Sequence, residues 1–135
     1  MTDGANVGIV LISHSRMLAE GAAELARQMG VGEVAVEAAG GTEDGGLGTS
    51  IELLEAAVGK ADRGAGVVLI ADLGSSVLTA KTYLEDLADG DAGEVVLADA
   101  PFVEGAVAAA SAAATGAGVT AVTDAAAEAY AFRKT

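Results

Sequence analysis

VGIVLISHS, residues 7–15, is the stretch on which the fold of this chain turns. Two valines, two isoleucines and a leucine follow one another without polar alternation, which suits a strand buried on both faces of a sheet. The run stops at Ser13-His14-Ser15 and there delivers the protein's only histidine. A helical pattern begins directly afterwards, near Met17. Open α/β sheets keep their chemistry at such strand-turn-helix junctions, in the crevice at the carboxyl ends of the strands.

Outward from that junction the pattern repeats. Met17 to Met29 places Leu18, Ala22, Leu25, Ala26 and Met29 at helical spacing and predicts a first helix with an apolar stripe, stopped by Gly30. Glu33 to Ala38 reads as a short second strand. Gly40 to Gly48, GGTEDGGLG, holds five glycines among nine residues and predicts a long loop, with Glu43 and Asp44 as solvated charges. Thr49 to Arg63 predicts a second helix with Thr49 or Ser50 as its N-cap. Val67 to Ala71, VVLIA, is the third strand and ends at Asp72. Leu73 to Ser76 makes a turn into a helix over Val77 to Leu87, with Leu78, Tyr83, Leu84 and Leu87 placed to pack. Val95 to Ala98 is a fourth strand, after which Asp99 is placed to cap an alanine-rich helix that starts near Pro101 and runs to about Thr115. Val119 to Val122 reads as a fifth strand and the tail from Asp124 as a last helix. Phe102, Tyr130 and Phe132 are expected to serve packing. This alternation predicts one α/β domain over residues 1–135, a three-layer sandwich around a mostly parallel sheet of four to five strands, in the order 2-1-3-4.

Composition narrows the chemistry. Twenty acidic against 7 basic residues give a net charge of −13, a field that repels nucleic acid and anionic membrane; it is read first as keeping the chain soluble, which would also suit a high-salt cytoplasm, and second as favouring a basic protein partner. With no cysteine and one histidine, neither a thiolate site nor a histidine-based metal site is expected, and the chemistry calls for no cofactor. No apolar run has the length to span a bilayer, and the opening MTDGAN lacks the features of a signal peptide, so a cytoplasmic location is expected.

In a parallel sheet the strand ends collect on one rim. His14, the glycine loop, Asp72 and Asp99 are therefore expected there together. If the third strand lies beside the first, Asp72 approaches His14, where a carboxylate fixes the imidazole tautomer and stabilises the charge that develops when the other nitrogen attacks. The turn Leu73 to Ser76, opening a helix, offers backbone N–H groups and hydroxyls to an anion. These parts describe a histidine that accepts a phosphoryl group, with Ser13 and Ser15 flanking it as further phosphoryl-binding candidates.

The segments IVLISHSRMLAEGAAELARQM, GLGTS, IADLGSSVLTAKTYLEDL and DAPFVEGAVAAAS, which together span nearly the whole chain, resemble the phosphotransfer subunits of phosphoenolpyruvate-dependent dihydroxyacetone kinases. Those subunits belong with the mannose-type enzyme IIA domains of the sugar phosphotransferase system. The resemblance implies that His14 is the phosphorylated residue, that Asp72 contacts it, that Gly74 and Ser75 lie near the phosphoryl group, and that Thr49 lines the site. It further implies phospho-HPr as donor, ADP on the nucleotide-binding subunit of the kinase as acceptor, and a homodimer. Some members carry appended HPr-like and enzyme I-like domains; this chain is expected to depend on separate carriers. Two other readings stand beside this one. The first is a IIA component that passes phosphate to a IIB protein of a sugar permease. The second is a receiver-like signalling domain phosphorylated on Asp72, against which the Ser-His-Ser end of the first strand counts, because it lacks the acidic pair that holds magnesium.

Overall fold

The computed structural model describes residues 5–30, 34–87 and 94–135. Its centre is an all-parallel sheet of β1 (Gly8–Ser13), β2 (Val36–Gly40), β3 (Val67–Ala71) and β4 (Val95–Leu97), in the order β2-β1-β3-β4. Helices α1 (Arg16–Gly30), α2 (Ile51–Ala61), α3 (Ser75–Asp86) and α4 (Phe102–Ala114) follow the four strands in turn, and α5 (Val119–Glu128) closes the chain with a short 3-10 turn over Ala129–Ala131. This is the three-layer arrangement, and its strand order is the one expected.

The two central strands have no polar alternation because both of their faces are covered. Ile9, Leu11, Val68 and Ile70 point into one core with the alanines of α1 and α4 and with Val122 and Ala126 of α5. Val10, Ile12, Val67 and Leu69 point into the other with Leu54, Ala57 and Val58 of α2 and Ala80 and Tyr83 of α3. Successive strand side chains alternate between the cores, as the period of two requires. The register that matters for function is Ile12 opposite Ala71, which brings the residues just beyond β1 level with Asp72.

Several expectations fall differently. Val119 to Val122 is not a fifth strand but the first turn of α5: Val119, Val122 and Ala126 recur at helical spacing on one buried face, and burial of that face overrides the strand preference of the valines. The buried face of α1 is Ala19, Ala22, Ala23, Ala26 and Gly30, while Leu18, Leu25 and Met29 remain about half exposed, because close packing on the sheet and on α4 admits only small side chains. Leu78, expected to pack, is 66% exposed, and Tyr130 and Phe132 are also exposed. Strand β2 begins at Val36 rather than Glu33, which lies outside the described residues. Helix α4 is preceded by Pro101 with no side-chain cap, and Asp99 instead accepts a hydrogen bond from the Tyr130 hydroxyl at 3.0 Å. For α2 the cap is Ser50, whose Oγ accepts from the Leu53 N–H at 3.1 Å. Among the described residues no helix is long and apolar enough to cross a membrane.

Candidate functional site: a histidine on the sheet rim

His14 leaves the sheet just beyond β1 and its backbone is held from three sides. The Asp72 N–H donates to the Ile12 carbonyl at 2.9 Å, the Gly41 N–H to the Ser13 carbonyl at 3.1 Å, and the Gly48 N–H to the His14 carbonyl at 2.9 Å. The glycine loop is thus a clamp on the histidine's main chain. Gly40 permits this: a Cβ there would lie 2.6 Å from the Ser15 carbonyl oxygen and 2.8 Å from the Arg16 Cα, so β2 can approach the start of α1 only without a side chain.

Asp72 organises the side chains. One carboxylate oxygen, Oδ2, accepts from the Ser13 hydroxyl at 2.8 Å and from the His14 N–H at 3.1 Å. The other, Oδ1, accepts from the Leu73 N–H at 2.6 Å and from the Ser76 hydroxyl, and lies 3.0 Å from Nδ1 of His14. Burial pushes this carboxyl up, but the hydroxyls of Ser76 and Ser13 and the N–H groups of His14 and Leu73 outweigh burial and hold it at about 2. It is an anion throughout the physiological range, with a side chain only 8% exposed.

An ionised carboxylate can only accept, so the contact at 3.0 Å assigns the proton of the ring to Nδ1. The Ser76 oxygen, whose own proton goes to Asp72, also faces Nδ1 at 3.1 Å. In the neutral ring Nε2 then carries the lone pair, and the Ser75 hydroxyl meets it at 2.5 Å. The imidazole is therefore fixed at Nδ1 by a buried anion and presents Nε2 toward the first turn of α3, on a side chain 29% exposed.

That first turn has its own peculiarity. Gly74, at the N-cap, has φ 38° and ψ −106°, a left-handed region that a residue with a side chain rarely adopts, and no side chain caps the helix. At the N-terminus of α3 the N–H groups of Ser76, Val77 and Leu78 go to the carbonyls of Leu73 and Gly74, and the positive end of the helix dipole, on the side of His14, favours an anion.

The structure thus brings His14, Asp72, Ser13 and Ser75 together at the turn made by Gly74. Ser15 is elsewhere engaged: its Oγ accepts from the Leu18 N–H at 3.2 Å and caps α1. Thr49 does not reach the histidine either; its Oγ1 lies 2.7 Å from Oγ1 of Thr79 and ties the glycine loop to α3. Ser76, fully buried, has a place in the cluster that its position in the turn did not reveal. Beside Asp72 a cleft of about 440 Å³ is lined by Lys81, Asp99 and Tyr130.

The family described as PTS system fructose IIA component, EIIA-man, matches residues 8–123, and so takes in the histidine, its aspartate and the helices that flank them. The chain belongs to this family. Within the EIIA-man family it is similar to the phosphoryl donor subunit DhaM of the PEP-dependent dihydroxyacetone kinase of Pantoea ananatis, 41% identical over 132 residues that make up 95% of this chain and 28% of the relative. The Escherichia coli subunit of the same name is 40% identical over 84% of this chain and 25% of its own length. This chain therefore spans about a quarter of the length of those two relatives. In Listeria innocua the phosphoryl donor subunit DhaM of PEP-dependent dihydroxyacetone kinase 2 is 36% identical over 77% of this chain and 83% of its own length. A crystal structure of a protein described as of unknown function, EF1359, has the same fold, with a TM-score of 0.82 and 33% identity over 96% of this chain and 97% of that one.

Proposed function

We propose that this chain is a phosphohistidine carrier of a phosphotransferase, which takes a phosphoryl group from phospho-HPr onto Nε2 of His14 and passes it to ADP on the nucleotide-binding subunit of a dihydroxyacetone kinase. The observation that carries this reading is the line Asp72–His14–Ser75, in which one ring nitrogen is held by a buried carboxylate and the other faces a hydroxyl at a helix N-terminus. The names of the relatives, phosphoryl donor subunits of such kinases, support the choice of acceptor.

The chemistry is a displacement at phosphorus. Nε2 of His14 attacks in line, the P–N bond of the donor phosphohistidine breaks, and the new P–Nε2 bond leaves a positive ring whose Nδ1 proton stays hydrogen-bonded to Asp72. As the phosphoryl group arrives, the Ser75 hydroxyl turns from Nε2 to a phosphoryl oxygen, and the positive end of the α3 dipole stabilises the equatorial oxygens. In the second transfer the P–Nε2 bond breaks, an oxygen of the ADP β-phosphate takes the phosphoryl group to form ATP, and the ring returns to its neutral tautomer. Asp72 serves both directions, stabilising the charged ring without accepting its proton.

A second reading has support in the description of the family, which names a sugar-transport component: the acceptor is then a IIB protein of a permease. One experiment separates the two. The chain is charged with phospho-HPr and mixed with the ADP-loaded kinase subunit, and the bound phosphoryl group is followed by intact mass. Rapid discharge with ATP formed is the expected result; a charged chain that discharges to a IIB protein and ignores the kinase subunit would replace the first reading with the second. Sedimentation of the isolated chain tests the proposed homodimer.

A further inference from the structure

Ser75, His14 and Asp72 stand in one line. The Ser75 hydroxyl lies 2.5 Å from Nε2 of the ring, and Nδ1 of the same ring lies 3.0 Å from Oδ1 of Asp72. With its proton on Nδ1 the neutral ring presents a lone pair at Nε2, so the Ser75 hydroxyl donates to it and the serine oxygen is paired with a base. Asp72, only 8% exposed, orients the ring and is itself fixed by the hydroxyls of Ser13 and Ser76 and the N–H groups of His14 and Leu73. This sequence of hydroxyl, imidazole and buried carboxylate is the one by which serine hydrolases activate their nucleophile, and it is recognised by geometry rather than by order in the chain.

The backbone at Ser75 suits the same chemistry. Ser75 is exposed, is the first residue of α3, and follows Gly74, whose φ of 38° turns the chain sharply from the end of β3 into the helix. A serine nucleophile of an α/β sheet enzyme sits at such a strand-to-helix turn, with its oxygen exposed above the sheet. The N–H groups of Ser76, Val77 and Leu78 go to the carbonyls of Leu73 and Gly74, whereas those of Gly74 and Ser75 donate to no protein group among the described residues. Two donors at the nucleophile's own turn are thus left for the oxygen of a carbonyl under attack, the role that the nucleophile's N–H and a neighbouring one play in serine hydrolases.

We propose that the unphosphorylated chain has a second activity, the hydrolysis of small activated esters, with Ser75 as nucleophile, His14 as base and Asp72 as the orienting anion. The Ser75 oxygen bonds to the acyl carbon while its proton passes to Nε2. The bond from that carbon to the leaving oxygen then breaks, and His14 gives the proton to the departing alcohol. Water, deprotonated by the same nitrogen, cleaves acyl-Ser75 to the free acid and restores the hydroxyl. The clefts along the glycine loop and beside Asp72 are lined by neither Ser75 nor His14, so they offer the acyl group no channel and the substrate class is the short-chain ester with a good leaving group. A phosphoryl group on Nε2 removes the base, and the two activities exclude each other at one ring. That exclusion rests on the phosphohistidine reading; the hydrolysis itself does not.

The full chain treated with p-nitrophenyl acetate should carry an acetyl group on Ser75, located by peptide mass after an acid quench, and should release p-nitrophenolate continuously. Ser75→Ala should lose the acetyl-serine and lower kcat/KM about tenfold or more, and Asp72→Asn, folded by circular dichroism, should lower it comparably by favouring the wrong ring tautomer. Ser111→Ala, exposed on α4, should hydrolyse the ester at the rate of the unmodified chain. Charging the chain with phospho-HPr beforehand should stop the release. A rate retained in Ser75→Ala, with the acetyl group on His14, would overturn the proposal, because the ring would then attack the ester itself. Equal rates in His14→Ala and the unmodified chain, or unchanged hydrolysis by the phosphorylated chain, would overturn it as well.

Discussion

Two neighbouring strands of this sheet, β3 and β4, are each followed on the same rim by an aspartate, and the two aspartates have opposite fates. Asp72, after β3, is buried and accepts from two serine hydroxyls and two backbone N–H groups while holding an imidazole. Asp99, after β4, is exposed and accepts from the hydroxyl of an exposed tyrosine. The difference lies in strand order. β3 pairs with β1 and so sets its aspartate against the histidine that ends β1, whereas β4 pairs with β3 and is one strand too far. Position at the rim makes a residue available; adjacency to the strand that carries His14 makes it part of the site.

This contrast can be broken or sharpened by substitution. The largest effect belongs to the ring that Asp72 serves: His14→Ala should lose the stable phosphoryl group entirely, as intact mass after treatment with phospho-HPr will show. Next, Asp72→Asn should slow transfer by about two to three orders of magnitude, the range for loss of a group that orients and stabilises a reacting imidazole, with the fold retained by circular dichroism. Asp99→Asn should change the same rate by no more than about twofold. Ser76→Ala removes one hydrogen bond to the buried carboxylate and should cost about tenfold in rate, equivalent to about 1.4 kcal/mol. The smallest effect is one of stability. Since the Asp72 carboxyl is held at about 2 in the folded chain and titrates near 4 when unfolded, the folded state gains stability that is fully present above pH ~4 and lost as pH falls through about 2. That contribution is on the order of 2 kcal/mol, and denaturant unfolding between pH 5 and pH 2 should show it in the unmodified chain, reduced in Asp72→Asn and intact in Asp99→Asn.

The central sheet was legible because strands buried on both faces leave uninterrupted apolar runs, as β1 and β3 do, and because a parallel sheet with helical crossovers has few economical orders. The pairing of His14 with Asp72 followed from that order alone. Where the structure departs from expectation, a short segment carried two patterns at once. Val119 to Val122 has the composition of a strand and the spacing of a helix, and only its packing against the sheet decides. In α1 the leucines outrank the alanines in hydrophobicity, yet the tight seam with α4 reverses their burial. The hydroxyls were the least legible feature. Ser15 and Ser76 look alike in sequence, each one residue beyond a candidate site residue, but Ser15 caps a helix while Ser76 is turned into the cluster by the unusual backbone of Gly74. Such differences of a few ångströms depend on turn geometry, which composition does not encode.

The most direct test of the account is to identify the atom that bears the phosphoryl group. The chain, labelled with ¹⁵N-histidine, is charged with phospho-HPr and observed by ¹⁵N and ³¹P NMR at alkaline pH, where a phosphoramidate persists. A single phosphoryl group bonded to Nε2 of His14, with Nδ1 still protonated and hydrogen-bonded, is the result predicted by the contacts to Asp72 and Ser75. Phosphorus on Nδ1, or an acyl phosphate on Asp72 cleaved by hydroxylamine, would contradict it.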